Sequence, residues 1–177
     1  IPSYGESTNM GFFLKDGGYY FTLSDKLDLS LKSNIYTKGS WSLKSQLRYK
    51  IRYKYNGNLN LNFGKNFNSE RGFPDYSEKK DFNIKWRHQQ DLKANPSLHF
   101  SANVEAGSSS YHRNNSYNAN DFLKNTMSSS VNLTKNWEGS FLNNLTFNLR
   151  HSQNTTTKNV NLTLPDISLN SKRLYPF

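Results

Sequence analysis

Apolar and polar residues alternate along almost the whole chain, and no other feature restricts its fold as much. Leu27, Leu29, Leu31 and Ile35 interleave with Asp28, Ser30, Lys32 and Asn34, which is the period of a strand with one apolar and one wet face, not of a helix. After a turn signal at 37–40 the pattern resumes: Trp41, Leu43, Leu47, Tyr49 and Ile51 against Ser42, Lys44, Gln46, Arg48 and Lys50. It continues through Tyr53, Tyr55, Leu59, Leu61 and Phe63, then Phe82, Ile84 and Trp86, then Leu98, Phe100, Ala102, Val104 and Ala106. Val131 and Leu133, Leu145, Phe147 and Leu149, and Val160, Leu162 and Leu164 complete the series. After Leu164 the phase slips to Ile167 and Leu169. Pro165 donates no hydrogen bond, so a bulge or bend is expected there. A hairpin of 7–14 and 19–23, turning at 15–18, brings the expected number of strands to about ten.

The order of the connections carries topology. Short turns are expected at 24–26, 50–52, 91–96 and 137–143, alternating with long polar loops at 68–79 and 108–125 and a shorter one at 152–158. Successive connections of an up-and-down sheet lie at opposite ends, so the long loops fall at one end and the short turns at the other, as in outer-membrane barrels. The fold class expected is all-β: an antiparallel up-and-down transmembrane β-barrel with its N-terminus on the periplasmic side. Strands of about 9 to 11 residues suit a bilayer crossed at a tilt. Tyr19, Tyr20, Tyr36, Trp41, Tyr49, Tyr53 and Trp86 stand near strand ends and are expected in interfacial girdles. A soluble, secreted β-sandwich binding acidic glycans shares the alternation and stays open as the reading from a different class.

Composition narrows the function. Hydrophobic residues make up 34 % and aromatic residues 15 %, too many rings for a disordered chain. No run of about 18 apolar residues exists, which excludes a membrane-spanning helix. Lys and Arg outnumber Asp and Glu by 23 to 13, for a net charge of +10, so an anionic partner is expected. Nucleic acid is disfavoured, because stacking needs basic and aromatic residues on one face and here they alternate. There is no Cys, and thus no disulfide and no thiolate metal site.

Catalytic signatures are missing. His88, His99, His112 and His151 are scattered, and Glu70, Asp75 and Glu78 read as solvated loop acids rather than a working pair. No metal or cofactor is expected. The basic residues Lys32, Lys44, Arg48, Lys50, Lys54, Lys85, Arg87 and Arg150 all fall on the polar parity, which in a large barrel faces the water-filled interior. There they could attract phosphorylated cargo. They could equally pair with Asp28 and Glu105 within the wall.

Particular residues carry a resemblance. Ile1-Pro2-Ser3-Tyr4-Gly5, Gly18-Tyr19-Tyr20-Phe21, Leu27-Asp28-Leu29, Tyr36-Thr37-Lys38-Gly39-Ser40-Trp41, Leu47-Arg48-Tyr49, Trp86-Arg87-His88-Gln89 and Leu164-Pro165-Asp166-Ile167-Ser168-Leu169 follow one another in this order. The series resembles the start of the barrel domain of the lipopolysaccharide-assembly outer-membrane proteins, the LptD family. That resemblance implies residues 1–6 as the junction from a periplasmic jellyroll and 7–177 as the first part of a larger outer-membrane barrel. It implies transport of lipopolysaccharide into the outer leaflet through a lumen and a lateral seam, without covalent chemistry. The implied partners are lipopolysaccharide, a plug lipoprotein of the LptE type, periplasmic bridge proteins reached through the jellyroll, and outer-membrane lipid. The family tends to place prolines in its first two strands, where a missing N–H weakens pairing. Pro2 matches the first position, while the second falls at Gly18 beside Gly17, where a glycine-rich hairpin turn at 16–18 is the competing reading. A porin or a receptor-type barrel for small nutrients is the alternative within transport.

Overall fold

The computed structural model describes residues 2–69, 72–112, 125–139 and 141–173. All ten strands lie in one sheet in chain order, β1 to β10, with β1 and β10 at its two ends. They are β1 Ser3–Ser7, β2 Gly11–Ser24, β3 Leu27–Tyr36, β4 Trp41–Ile51 and β5 Tyr55–Asn68. β6 Ser77–Gln90, β7 Leu98–Gly107, β8 Thr126–Asn136, β9 Leu142–Asn154 and β10 Val160–Ser171 follow. β2 to β10 are 10 to 14 residues long, enough to cross a bilayer at a tilt. Among the described residues no helix is long and apolar enough to cross a membrane. The single sheet bears out the up-and-down expectation, and among the described residues there is no second sheet to make a sandwich.

Antiparallel order puts connections 8–10, 37–40, 69–76, 108–125 and 155–159 at one strand end and 25–26, 52–54, 91–97 and 137–141 at the other. The two longest connections, 69–76 and 108–125, share one end as read, whereas 137–141 and 155–159 are equally short; residues 70–71 and 113–124 within the long loops lie outside the described residues. The turn after β4 spans 52–54, so Tyr53 and Lys54 sit in it rather than in a strand, with Tyr53 at φ 60°. Lys54 donates its N–H to the Ile51 carbonyl at 3.0 Å.

The hairpin read at 15–18 is wrong. β1 turns at 8–10 and pairs with β2 from Ser7 opposite Gly11 to Ser3 opposite Lys15. β2 then runs on through the two glycines. Asp-Gly-Gly is a strong turn signal, and a change of apolar parity from Leu14 to Tyr19 fits a turn. It also fits one extra residue. Leu14 pairs with Ile35 and Gly17 with Ser33, so Lys15 and Asp16 together oppose Asn34. This is a β-bulge, with Asp16 at φ 56°, a conformation Asp tolerates better than most side chains. The expected bulge at Pro165 is present: Thr163 opposes Arg150 and Asp166 opposes Asn148, leaving Leu164 and Pro165 against Leu149.

The chain forms two compact units, one of residues 1–48, 59–84 and 107–124, the other of 49–58, 85–106 and 125–177. Neither has a conventional apolar core: Ala102 and Met127 are the buried hydrophobic residues among those described. The apolar face is open instead. In the first unit Phe12, Leu14, Phe21, Ile35, Leu43, Leu61, Phe63, Phe82 and Ile84 are exposed, and in the second Val160, Leu162, Leu164, Ile167 and Leu169. Continuous apolar surface of this kind is what the outward side of a transmembrane barrel wall presents.

Candidate functional site: the polar face and the β1–β2 edge

Within the first unit the polar parity of successive strands builds a concavity of about 250 Å³ lined by Lys15, Asn34, Tyr36, Lys44, Asn62 and Tyr111, among others. Lys15 has the parity opposite Phe12 and Leu14, and the extra residue of the bulge is what moves the wet face of β2 from odd to even positions beyond it. Lys15 Nζ stands 4.1 Å from the centre of the Phe13 ring, and Phe13 packs on Tyr36 at 6.0 Å between centroids. Lys15 escaped the sequence reading because the supposed turn had removed it from any strand. Tyr20 and Tyr36 also lie on the polar face, Tyr20 opposite Ser30 and Tyr36 opposite Phe13. The girdle expectation is thus corrected for Tyr20 and Tyr36, while Tyr53 stands in the 52–54 turn at the strand ends.

Pro2, Gly17 and Gly18 meet at the end of the β1–β2 ladder. The ladder stops at Ser3 opposite Lys15, just where Pro2 offers no N–H and Asp16 swings into the left-handed region. Beyond it, β2 residues 16–24 pair with β3 alone among the described residues. The two glycines are not equivalent. A Cβ on Gly17 would meet nothing closer than 3.8 Å, whereas on Gly18 it would collide with the Leu31 carbonyl and come within 2.8 Å of the Lys32 Cα. Asp16 donates its N–H to Asn34 Oδ1 at 2.8 Å, and Ser33 Oγ donates to the Gly17 carbonyl at 3.2 Å. The bulge is hydrogen-bonded from both sides of β3.

The remaining basic residues divide by environment. Lys32 stands opposite Gly18 and is exposed. Arg48 and Asp28 are charged neighbours of the Tyr20 hydroxyl on the polar face. In the second unit Lys85 pairs with Glu105 at 3.2 Å, the pairing within the wall that the sequence left open. Arg150 pairs in register with Ser130 on one side and Thr163 on the other, and Arg87 is exposed on the polar parity of β6. Lys50, Arg52 and Lys93 share a groove of about 650 Å³ beside the 52–54 turn. Lys54 is corrected to that turn; its carbonyl accepts the Asp91 N–H at 2.8 Å.

On the apolar face of the second unit, Tyr49, Tyr55, Trp86, His88 and Phe100 form a ring cluster. Tyr49 Oη accepts Trp86 Nε1–H at 3.0 Å and lies 2.8 Å from His88 Nδ1. Gly57 makes room for it: a Cβ there would strike the Tyr49 phenol and come within 2.6 Å of the Arg87 carbonyl. Amphipathic rings at this depth suit a membrane interface. In the first unit Trp41 packs on Phe63 at 5.5 Å. Sequence parity located Tyr49, Trp41 and Trp86 but gave no hint of His88, which reads as polar.

Acidic chemistry is structural where it is described. Asp81 is fully buried and accepts hydrogen bonds from Ser108 Oγ at 3.1 Å and from Ser110 Oγ, tying the start of the 108–125 connection to β6. No group of three or more His, Cys, Asp and Glu that could hold a metal occurs among the described residues. Glu70 lies outside them.

An antiparallel up-and-down sheet with one face of uncovered aliphatic and aromatic residues and the other of Lys, Arg, Asn and Ser is the wall of an outer-membrane-type transmembrane β-barrel. The model of the family described as LptD protein matches residues 1–177, the whole chain, and the chain belongs to that family. Its members are outer-membrane proteins that act in lipopolysaccharide transport and assembly, a transport role and not an enzymatic one. No curated protein matches the chain.

Proposed function

We propose that the polar face of this chain borders the aqueous path taken by the sugars of lipopolysaccharide, and that the β1–β2 edge is one side of the seam through which the lipid leaves. On this reading the N-terminus is periplasmic, and the chain enters β1 at Ser3 from a jellyroll that receives cargo from the periplasmic bridge proteins. A lipoprotein of the LptE type fills the lumen, and the barrel continues beyond these ten strands. Lys15, Lys32, Lys44, Arg48, Lys50, Arg87 and Arg150 supply positive charge along the path. Lys85 is partly spent on Glu105, and Lys54 belongs to the periplasmic rim.

The observation that carries the reading is the short β1–β2 ladder, which ends at Pro2 and the Asp16 bulge while β2 continues past it. A strand edge with a missing donor and a bulge is poorly held, and a seam must part without unfolding its neighbours. Cysteines at Tyr4 and at a facing position of the closing strand in the full-length protein test this. Oxidation should stop the appearance of new surface lipopolysaccharide, and reduction should restore it. Undiminished export with the cross-link fully formed contradicts the seam. A porin or nutrient receptor predicts that same undiminished result.

A further inference from the structure

We infer that the groove beside the 52–54 turn is a docking site for an acidic peptide segment of a second protein, distinct from the plug, that meets the barrel at the strand end carrying the 52–54 and 91–97 turns. The groove of about 650 Å³ lies wholly within the second unit and sets three cations, Lys50, Arg52 and Lys93, against one carboxylate, Asp91. Asp91 is engaged by its own turn: its Oδ1 accepts the Lys93 N–H at 2.9 Å, and its N–H goes to the Lys54 carbonyl at 2.8 Å. The second of these bonds joins the two turns, so Arg52 and Lys93 stand on one rim.

Tyr53 shows that the rim is strained where it is exposed. It stands at φ 60°, in the left-handed region, where Gly or Asn is at ease and an aromatic residue is not. At 58 % exposed, it is not held there by packing. What its ring holds is Arg52, whose guanidinium carbon lies 4.8 Å from the ring centre. A guanidinium laid on a ring keeps its edge N–H donors for a carboxylate. Strain of this kind is characteristic of ligand-binding positions.

The rest of the groove favours a peptide over a bare anion. Its wall offers acceptors as well as donors, in the exposed side-chain amides of Asn56 and Gln89. His99 Nδ1 is buried there and has no hydrogen-bond partner among the described residues. An ionised phosphate only accepts and would leave those acceptors unused, whereas a peptide brings N–H and C=O together. Leu92, 67 % exposed in the turn beside Lys93, adds an aliphatic contact that a phosphorylated sugar would leave bare. The occupant that fits is an extended segment with several Asp or Glu residues and an apolar side chain among them.

The test uses the full-length protein with its plug partner bound, in detergent, and reads the fluorescence anisotropy of a labelled peptide of repeating Glu-Glu-Leu against its Gln-Gln-Leu counterpart. The Glu peptide should bind about tenfold tighter, and Arg52→Gln with Lys93→Gln should remove about that factor. Lys26→Gln with Lys158→Gln, which takes the same charge from exposed positions elsewhere, should keep it. Tyr53→Gly should relax the turn yet weaken binding by releasing Arg52. Equal affinity for the two peptides, or an equal loss in the two double variants, overturns the site. Displacement of the Glu peptide by glucosamine 1-phosphate at equal concentration overturns the peptide as occupant. The proposed orientation of the barrel enters only in placing the partner in the periplasm. Asn95→Cys should react with a membrane-impermeant maleimide only after the outer membrane is permeabilised; labelling in intact cells overturns that placement, while the peptide titration decides the groove by itself.

Discussion

Asp16 and Asn34 form the joint on which the β1–β2 edge turns: the Asp16 N–H reaches Asn34 Oδ1 at 2.8 Å while Asp16 itself is held at φ 56°. Asn34 is buried, only 6 % exposed, so its side chain replaces the backbone partner that the bulge takes from β2. Replacing Asn34 with Ala should leave the Asp16 N–H without this part-buried partner, at a cost of about 0.5–1.5 kcal/mol. The check is the urea midpoint of the folded protein in detergent. An unchanged midpoint would mean that the bulge holds itself.

The two glycines of β2 should respond in opposite ways. Gly17→Ala has space, with its nearest neighbour at 3.8 Å, and should change stability by less than about 0.5 kcal/mol. Gly18→Ala must push the β3 backbone away from contacts at 2.8 Å, a cost of about 1–3 kcal/mol. The amount of heat-modifiable, folded protein in the membrane reads both. Equal loss for the two variants would refute the distinction.

At the aromatic cluster, Tyr49→Phe removes the hydroxyl that joins Trp86 and His88 and keeps the ring over Gly57. The expected loss is about 0.5–1.5 kcal/mol. Tyr49→Ala also uncovers Gly57 and should cost more, about 3–5 kcal/mol if the ring is as well packed as a core aromatic. Equal effects of the two changes would show that only the hydrogen bonds matter.

Charge reversal should separate wall residues from path residues. Lys44, Arg48 and Arg87 changed together to Glu should reduce surface lipopolysaccharide while leaving the barrel folded. Glu105→Gln, which removes the charge facing a half-exposed Lys85, should leave export as it was. Normal surface lipopolysaccharide in the triple variant would remove these residues from the path.

Most of the wall was legible because period two survives wherever one face meets lipid and the other water. β3 and β4 begin and end where Leu27, Tyr36, Trp41 and Ile51 mark them. The bulge at Pro165 was legible for the same reason, as a slip of phase beside a residue that cannot donate. The bulge at Asp16 was not, since an extra residue and a tight turn change the phase alike and Asp-Gly-Gly suits both. Only the partner strand decides between them, and the deciding residue, Asn34, lies 18 positions away. That error also hid Lys15. Pairings such as Lys85 with Glu105 depend on register between strands, which alternation alone leaves unset.

Site-specific photocrosslinking in living cells tests the proposed path most directly, with probes at Lys32, Arg48 and Arg87 on the polar parity and at Leu29 and Leu47 on the apolar one. Adducts with lipopolysaccharide at Lys32, Arg48 and Arg87 are predicted, together with capture of membrane lipid at Leu29 and Leu47. Lipid capture at Leu29 and Leu47 with no lipopolysaccharide adduct at any of the three basic positions would contradict the path and leave a barrel with a different cargo.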